Sequence, residues 1–205
     1  QHADQIAREQ GEDETRAYYR LIRSMIATDA GDVQTALRHL DEAEHQIHRG
    51  RGRSFSSRNT WIEICRLRSF LFALSQMKGE TRYEDDQYLQ LKRLAEDLSQ
   101  HRYDSAIISL ELSALLSFLH HDWESARHSM SKAAMYRSDE PRNAMLIIDT
   151  YFDLLMGTEK GREKKMETLL KELEQLQEPF YSTAGKELLV QAQQYYHSQQ
   201  LQKVS

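Results

Sequence analysis

Apolar residues recur at intervals of three and four along almost the whole chain, which is the spacing of one face of an α-helix. Polar or turn-forming stretches interrupt that pattern at 29–32, 49–57, 78–81, 101–104, 120–122, 138–141, 157–161 and 178–182. The segments between them predict about nine helices, over 3–28, 32–48, 58–77, 83–100, 104–119, 122–137, 142–156, 162–177 and 181–199. Pro141 and Pro179 are the only prolines and glycine occurs eight times, so an all-α chain with almost no strand is expected.

The predicted helices are of two kinds. The second, fourth, sixth and eighth each carry one apolar stripe: Val33, Ala36, Leu40, Ala43 and Ile47; Tyr88, Leu91, Ala95 and Leu98; Trp123, Ala126, Met130 and Ala133; Met166, Leu169, Leu170, Leu173 and Leu176. The third, fifth and seventh are apolar over most of their circumference, as in WIEICRLRSFLFAL (61–74), IISLELSALLSFL (107–119) and NAMLIIDTYFDLLM (143–156). A helix apolar on several sides needs several neighbours, so the alternation predicts stacked antiparallel helix pairs whose inner helices touch two pairs at once.

Two stretches give this pattern a resemblance. GDVQTA (31–36) followed by Leu40 and Ala43, and HDWESA (121–126) followed by Met130 and Ala133, resemble the turn and second helix of a tetratricopeptide repeat. In that family a Gly-Asp-aromatic turn precedes a small residue at the place where the paired helices approach most closely. The resemblance implies a right-handed superhelical stack over 1–205, with about four helix pairs and a C-terminal capping helix.

The chain also departs from the family pattern. Taking Ala36, Leu91, Ala126 and Met166 as equivalent anchors gives spacings of 55, 35 and 40 residues, against a repeat of about 34. Leu110, Ser113, Ala114 and Ser117 stand where the family has its Trp-x-x-Leu-Gly-x-x-Tyr pattern. Longer, divergent repeats of this kind are similar to those of bacterial regulators and sensor proteins, and an unrelated helical bundle is the competing architecture.

The formal net charge of -5 is spread without long blocks of either sign, which argues against a general nucleic-acid or membrane-surface binder. Cys65 is the only cysteine and lies among Ile62, Ile64 and Leu67, so it reads as a buried thiol, and a cytoplasmic setting is expected. No apolar run approaches the roughly 18 to 20 residues of a membrane span. The chain opens at Gln1 without Met, and a fragment of a larger protein is expected.

Catalytic signatures are sparse. The sequence holds no G-x-x-x-x-G-K-[ST], G-x-G-x-x-G, H-E-x-x-H or G-x-S-x-G motif. Glu42-x-x-His45 has the helical spacing of a di-iron ligand pair, but that chemistry needs two such motifs. His45 with His48, and His120, His121 and Asp122 with His128, lack a third ligand at a defined spacing. Neither a metal nor any other cofactor is therefore assigned, and no enzyme activity is expected.

Binding surfaces remain. Arg20 and Arg23 on the first helix and Arg66 and Arg68 on the third, beside Tyr18, Tyr19 and Trp61, would line a concave groove suited to an acidic, partly apolar peptide or partner helix. Arg49, Arg51, Arg53 and Arg58, in RGRGRSFSSR, read as an inter-helix loop that could contact an anion or acidic partner. The last helix, with Leu188, Leu189, Ala192, Tyr195 and Tyr196 on one side, either caps the array or, left open, forms a homodimer surface. The expected function is non-catalytic protein interaction, the alternative being a sensor in which Arg66 and Tyr19 converge on a small molecule or signalling peptide.

Overall fold

The computed structural model describes residues 2–49, 55–79, 85–99, 103–137, 143–176 and 183–202. Among the described residues it holds nine α-helices and no strand: α1 (His2–Asp29), α2 (Val33–Arg49), α3 (Phe55–Met77), α4 (Asp85–Ser99), α5 (Tyr103–Leu119), α6 (Trp123–Arg137), α7 (Ala144–Met156), α8 (Arg162–Leu176) and α9 (Thr183–Gln202). The chain divides into two compact units, Gln1–Leu71 and Phe72–Ser205, with the division falling inside α3.

In the first unit α1 and α2 form a hairpin. Ala17, Leu21, Ser24 and Thr28 on α1 and Ala36, Leu40, Ala43 and Ile47 on α2 are buried. Each set follows the i, i+4, i+7, i+11 cadence of a single packed face. Ala36 is fully buried in this face. Its backbone comes close enough to α1 for the buried Ser24 hydroxyl to donate to the Ala36 carbonyl at 2.9 Å.

The second unit repeats that hairpin in α5 and α6, ninety residues on. At the first turn, Gly31 N–H donates to Thr28 O at 2.9 Å and Asp32 N–H to Ala27 O at 2.8 Å. At the second, His121 N–H donates to Phe118 O at 3.1 Å and Asp122 N–H to Ser117 O at 3.0 Å. Both are Schellman ends, and each needs a left-handed residue, supplied by Gly31 at φ 76° and by His121 at φ 63°. Each aspartate then opens the next helix: Asp32 Oδ1 accepts from Thr35 N–H at 3.0 Å and Asp122 Oδ1 from Ser125 N–H at 3.2 Å.

Burial follows the predicted alternation. On α4, α6 and α8 the buried residues form one stripe each: Leu91, Ala95 and Leu98; Ala126, Met130, Ala133 and Arg137; Met166, Leu169 and Leu173. On α5 and α7 they cover most of the circumference. Those wrapped helices have neighbours on two sides, α5 packing on α4 and α6, and α7 on α6, α8 and α9. Phe72 and Leu94 close a cluster around Leu91, Ala95, Leu112 and Leu116.

Helix α9 lies against α7 and α8. Its Ala184, Leu188, Leu189 and Ala192 are buried within the second unit, and a Cβ at Gly185 would stand 3.0 Å from Ile148 Cδ1. Of the two roles left open for this face, a cap or an open homodimer surface, the burial of these residues is that of a cap within the second unit. Tyr195 extends that cover, donating its hydroxyl to Leu119 O at 3.1 Å and stacking on His121 with ring centroids 5.6 Å apart.

One boundary differs from the sequence reading in a way that bears on a site. Helix α3 begins at Phe55, three residues before the predicted start, so Arg58 lies within its first turns rather than at a loop edge, while α2 runs on through Arg49. Ser56 and Ser57 lie in the first turn of α3, where serine is readily accommodated. Arg51 and Arg53 lie outside the described residues, as does the Arg49 side chain.

Candidate functional site

Two of the four arginines assigned to a groove tie helices of the first unit together. Arg20 Nε on α1 lies 2.9 Å from Glu42 Oε2 on α2. Arg68 on α3 reaches Asp41 at 2.8 Å and Glu44 at 2.9 Å. Glu42 projects from one flank of α2, and Asp41 and Glu44 from the other, so α1 and α3 are tied to opposite flanks of the same helix. Arg66 pairs with Glu63 one turn back along α3. Trp61 packs its ring against His48 of α2 at 5.3 Å.

Arg23 is exposed, and among the described residues it has no carboxylate partner. Tyr18 and Tyr19 are 53% and 64% exposed. Tyr19 is thus a surface residue, whereas the Arg66 side chain is largely buried.

Sequence inspection singled out Tyr19 and Arg23 but overlooked the surface to which they belong. Thr15, Tyr19, Ile22 and Ile26 repeat the cadence of the buried set Ala17, Leu21, Ser24 and Thr28, shifted by two residues. Two residues are about 200° of rotation, so α1 carries a second stripe on the side opposite α2. Ile26 is 62% exposed and Ile22 is half-buried. The exposed Arg16 and Arg23, one heptad apart, line one flank of that stripe. The signal was present in the chain as a helix with two apolar phases.

A second feature hidden from the sequence reading is ionic. Arg137 ends the buried stripe of α6, where its Nε donates to Glu111 Oε1 of α5 at 3.1 Å and to Asp149 Oδ2 of α7 at 3.2 Å. All three residues are buried. By the ninety-residue offset between hairpins, Glu111 and Arg137 occupy the places of Leu21 and Ile47, so an ion pair stands where the first hairpin has an apolar pair. This network joins three helices and lies away from any exposed surface, which makes it an element of architecture.

Burial holds two titratable groups in their neutral forms. Burial pushes the Cys65 thiol well above the ordinary cysteine value, which disfavours the nucleophilic thiolate. Burial likewise pushes the Tyr151 phenol up to about 12, while its hydroxyl donates to Gln193 at 3.1 Å. His48 lies 3.6 Å from Glu44 and His39 lies 3.8 Å from Glu42. No group of three or more His, Cys, Asp or Glu side chains among the described residues is arranged to hold a metal ion. None of the described helices is long and apolar enough to cross a membrane.

Comparison with protein-family models, with curated proteins and with solved structures finds no match for this chain.

Proposed function

We propose that this chain is a non-catalytic protein-interaction domain, built as a right-handed stack of tetratricopeptide-like helix pairs and used to hold a peptide or helix of another protein. The observation that carries this reading is the second apolar stripe of α1. Tyr18, Tyr19 and Ile26 are three of the six large apolar residues most exposed among the described residues, and they fall within nine positions of one helix. Scattered exposed apolar side chains need no explanation, whereas a contiguous set on one helix face is the usual mark of an interface.

The stack itself is supported by two turns with matching hydrogen bonds ninety residues apart, the alternation of wrapped and one-sided helices, and the small residues where paired helices meet. Among the groove residues assigned from sequence, Tyr18, Tyr19 and Arg23 are exposed, while Arg20 and Arg68 tie neighbouring helices to α2 and Arg66 pairs along its own helix.

The test is affinity capture from extract of the source organism, with the wild-type chain beside a Tyr19→Ser, Ile26→Ser double variant shown by circular dichroism to be equally helical. Polypeptides held by the first and released by the second support an interaction domain working through α1. If neither chain retains a polypeptide above a bead control, the reading fails.

A further inference from the structure

The interaction reading leaves the partner undefined, and the charges around the α1 stripe narrow it. Tyr19, Ile22 and Ile26 form a seam at the spacing with which one helix packs on another, since residues three and four apart share a face. Arg16 and Arg23 flank that seam on one side, both exposed and both cationic. Arg16 lies 3.4 Å from Glu12, but both groups are largely in solvent, where such a pair contributes little and exchanges readily for another carboxylate. Behind them Arg20 is held by Glu42, so the positive flank is backed by a positioned guanidinium.

Resting on the interaction reading, we infer that the α1 outer face takes an amphipathic α-helix of another protein, whose apolar stripe covers Tyr19, Ile22 and Ile26 and whose acidic residues, about one heptad apart, meet Arg16 and Arg23. Two like charges along one edge of a seam select the opposite sign on the partner and oppose a basic one. A helix fits better than an extended strand because the receiving surface is itself one helix face and offers no unpaired backbone edge. The apolar seam supplies most of the binding, and the arginines set orientation and selectivity.

The probe is a designed three-heptad helical peptide with Leu at the seam positions and Glu on both flanks, labelled with fluorescein and titrated by anisotropy against the full chain. Its control has the same apolar residues with every Glu replaced by Lys. The acidic peptide is expected to bind, to weaken as salt rises, and to lose at least about tenfold in affinity on Arg23→Glu and on Ile26→Asp. The basic control is expected to bind at least about tenfold more weakly than the acidic peptide to wild type, and to gain on Arg23→Glu.

Circular dichroism and a thermal melt establish that each variant is folded. Equal binding of the two peptides, or indifference of the acidic one to both substitutions, would overturn the inference. So would sedimentation showing a wild-type dimer that Ile26→Asp dissociates, because the face would then be occupied by a second copy. Capture from extract separates this failure from a broader one: partners retained equally by wild type and Ile26→Asp would move the interface elsewhere and leave the interaction reading standing, whereas no partner and no peptide binding would remove both.

Discussion

Asp32 and Asp122 stand at the same point in two turns ninety residues apart, and each serves two helices. The backbone N–H of each closes the end of one helix, and its carboxylate opens the next by accepting from Thr35 or Ser125. Those hydrogen bonds, from the Thr35 backbone and side chain and from the Ser125 side chain and backbone, hold both carboxyls below the usual value of 3.8. The folded state therefore favours the charged form. The resulting stabilisation is present above the unfolded carboxylate pKa and is lost as pH falls through the lower folded value. An Asp32→Asn, Asp122→Asn double variant keeps a capping oxygen that does not titrate. Its melting temperature is expected to fall less than that of wild type as pH is lowered from about 5 towards 2, as read by thermal melts. A decline as steep as that of wild type would mean that the caps do not titrate in this way.

The same turns show what could be read residue by residue. Gly31 and Asp32 were legible because glycine before a capping aspartate is a local signal. His121 was not, since a non-glycine residue enters the left-handed region only where its surroundings hold it. Here Tyr195, distant in sequence, and Trp123 pack on its ring.

At the scale of the helix, periodicity carried most of the fold. The one-sided stripes and the wrapped helices were visible because burial requires an apolar surface wherever a neighbour lies. Ala36 and Ala126 were legible as close-approach points, and both are fully buried. Replacing Ala126 with Leu is expected to destabilise the chain by about 1 to 3 kcal/mol through overpacking against α5. Leucine at the exposed Glu124 of the same helix is expected to change stability by less than about 0.5 kcal/mol. Denaturant titration distinguishes them, and comparable effects would show that α6 does not pack closely on its partner.

Glu111, Arg137 and Asp149 escaped that logic because a binary pattern reads a charged residue as a surface position. Their location inside apolar runs was the available sign, but pairing across three helices has no local signature. Arg137→Ile, which leaves two buried acids without their guanidinium, is expected to cost about 3 to 5 kcal/mol. The Glu111→Leu, Arg137→Ile double variant restores the apolar pair of the first hairpin and is expected to be more stable than the Arg137→Ile single variant. Chemical denaturation of both tests this; a double variant less stable than the single would exclude equivalence of the two sites.

For the whole molecule, the kinds of helix and their order were legible in the sequence, and three of the residues it singled out, Tyr18, Tyr19 and Arg23, lie exposed on α1. It could not say which arginines were engaged, because Arg20 and Arg68 find their acids on another helix and only the fold brings them together. The outer seam of α1 was present in the sequence, yet the buried seam beside it has the same spacing, and only packing shows which of the two α2 covers. The first unit is thereby built around α2, with α1 presenting its other side to solvent.

The most direct test of that assignment is site-specific photo-crosslinking in source-organism extract. A benzophenone side chain in place of Ile22, on the seam, is compared with one in place of Lys132, on the exposed side of α6. Crosslinks formed from position 22, absent from position 132 and mapping by mass spectrometry to an acidic amphipathic helix of another protein, are the expected result. Crosslinks from position 132 alone, or none from position 22 in a folded chain, would contradict it.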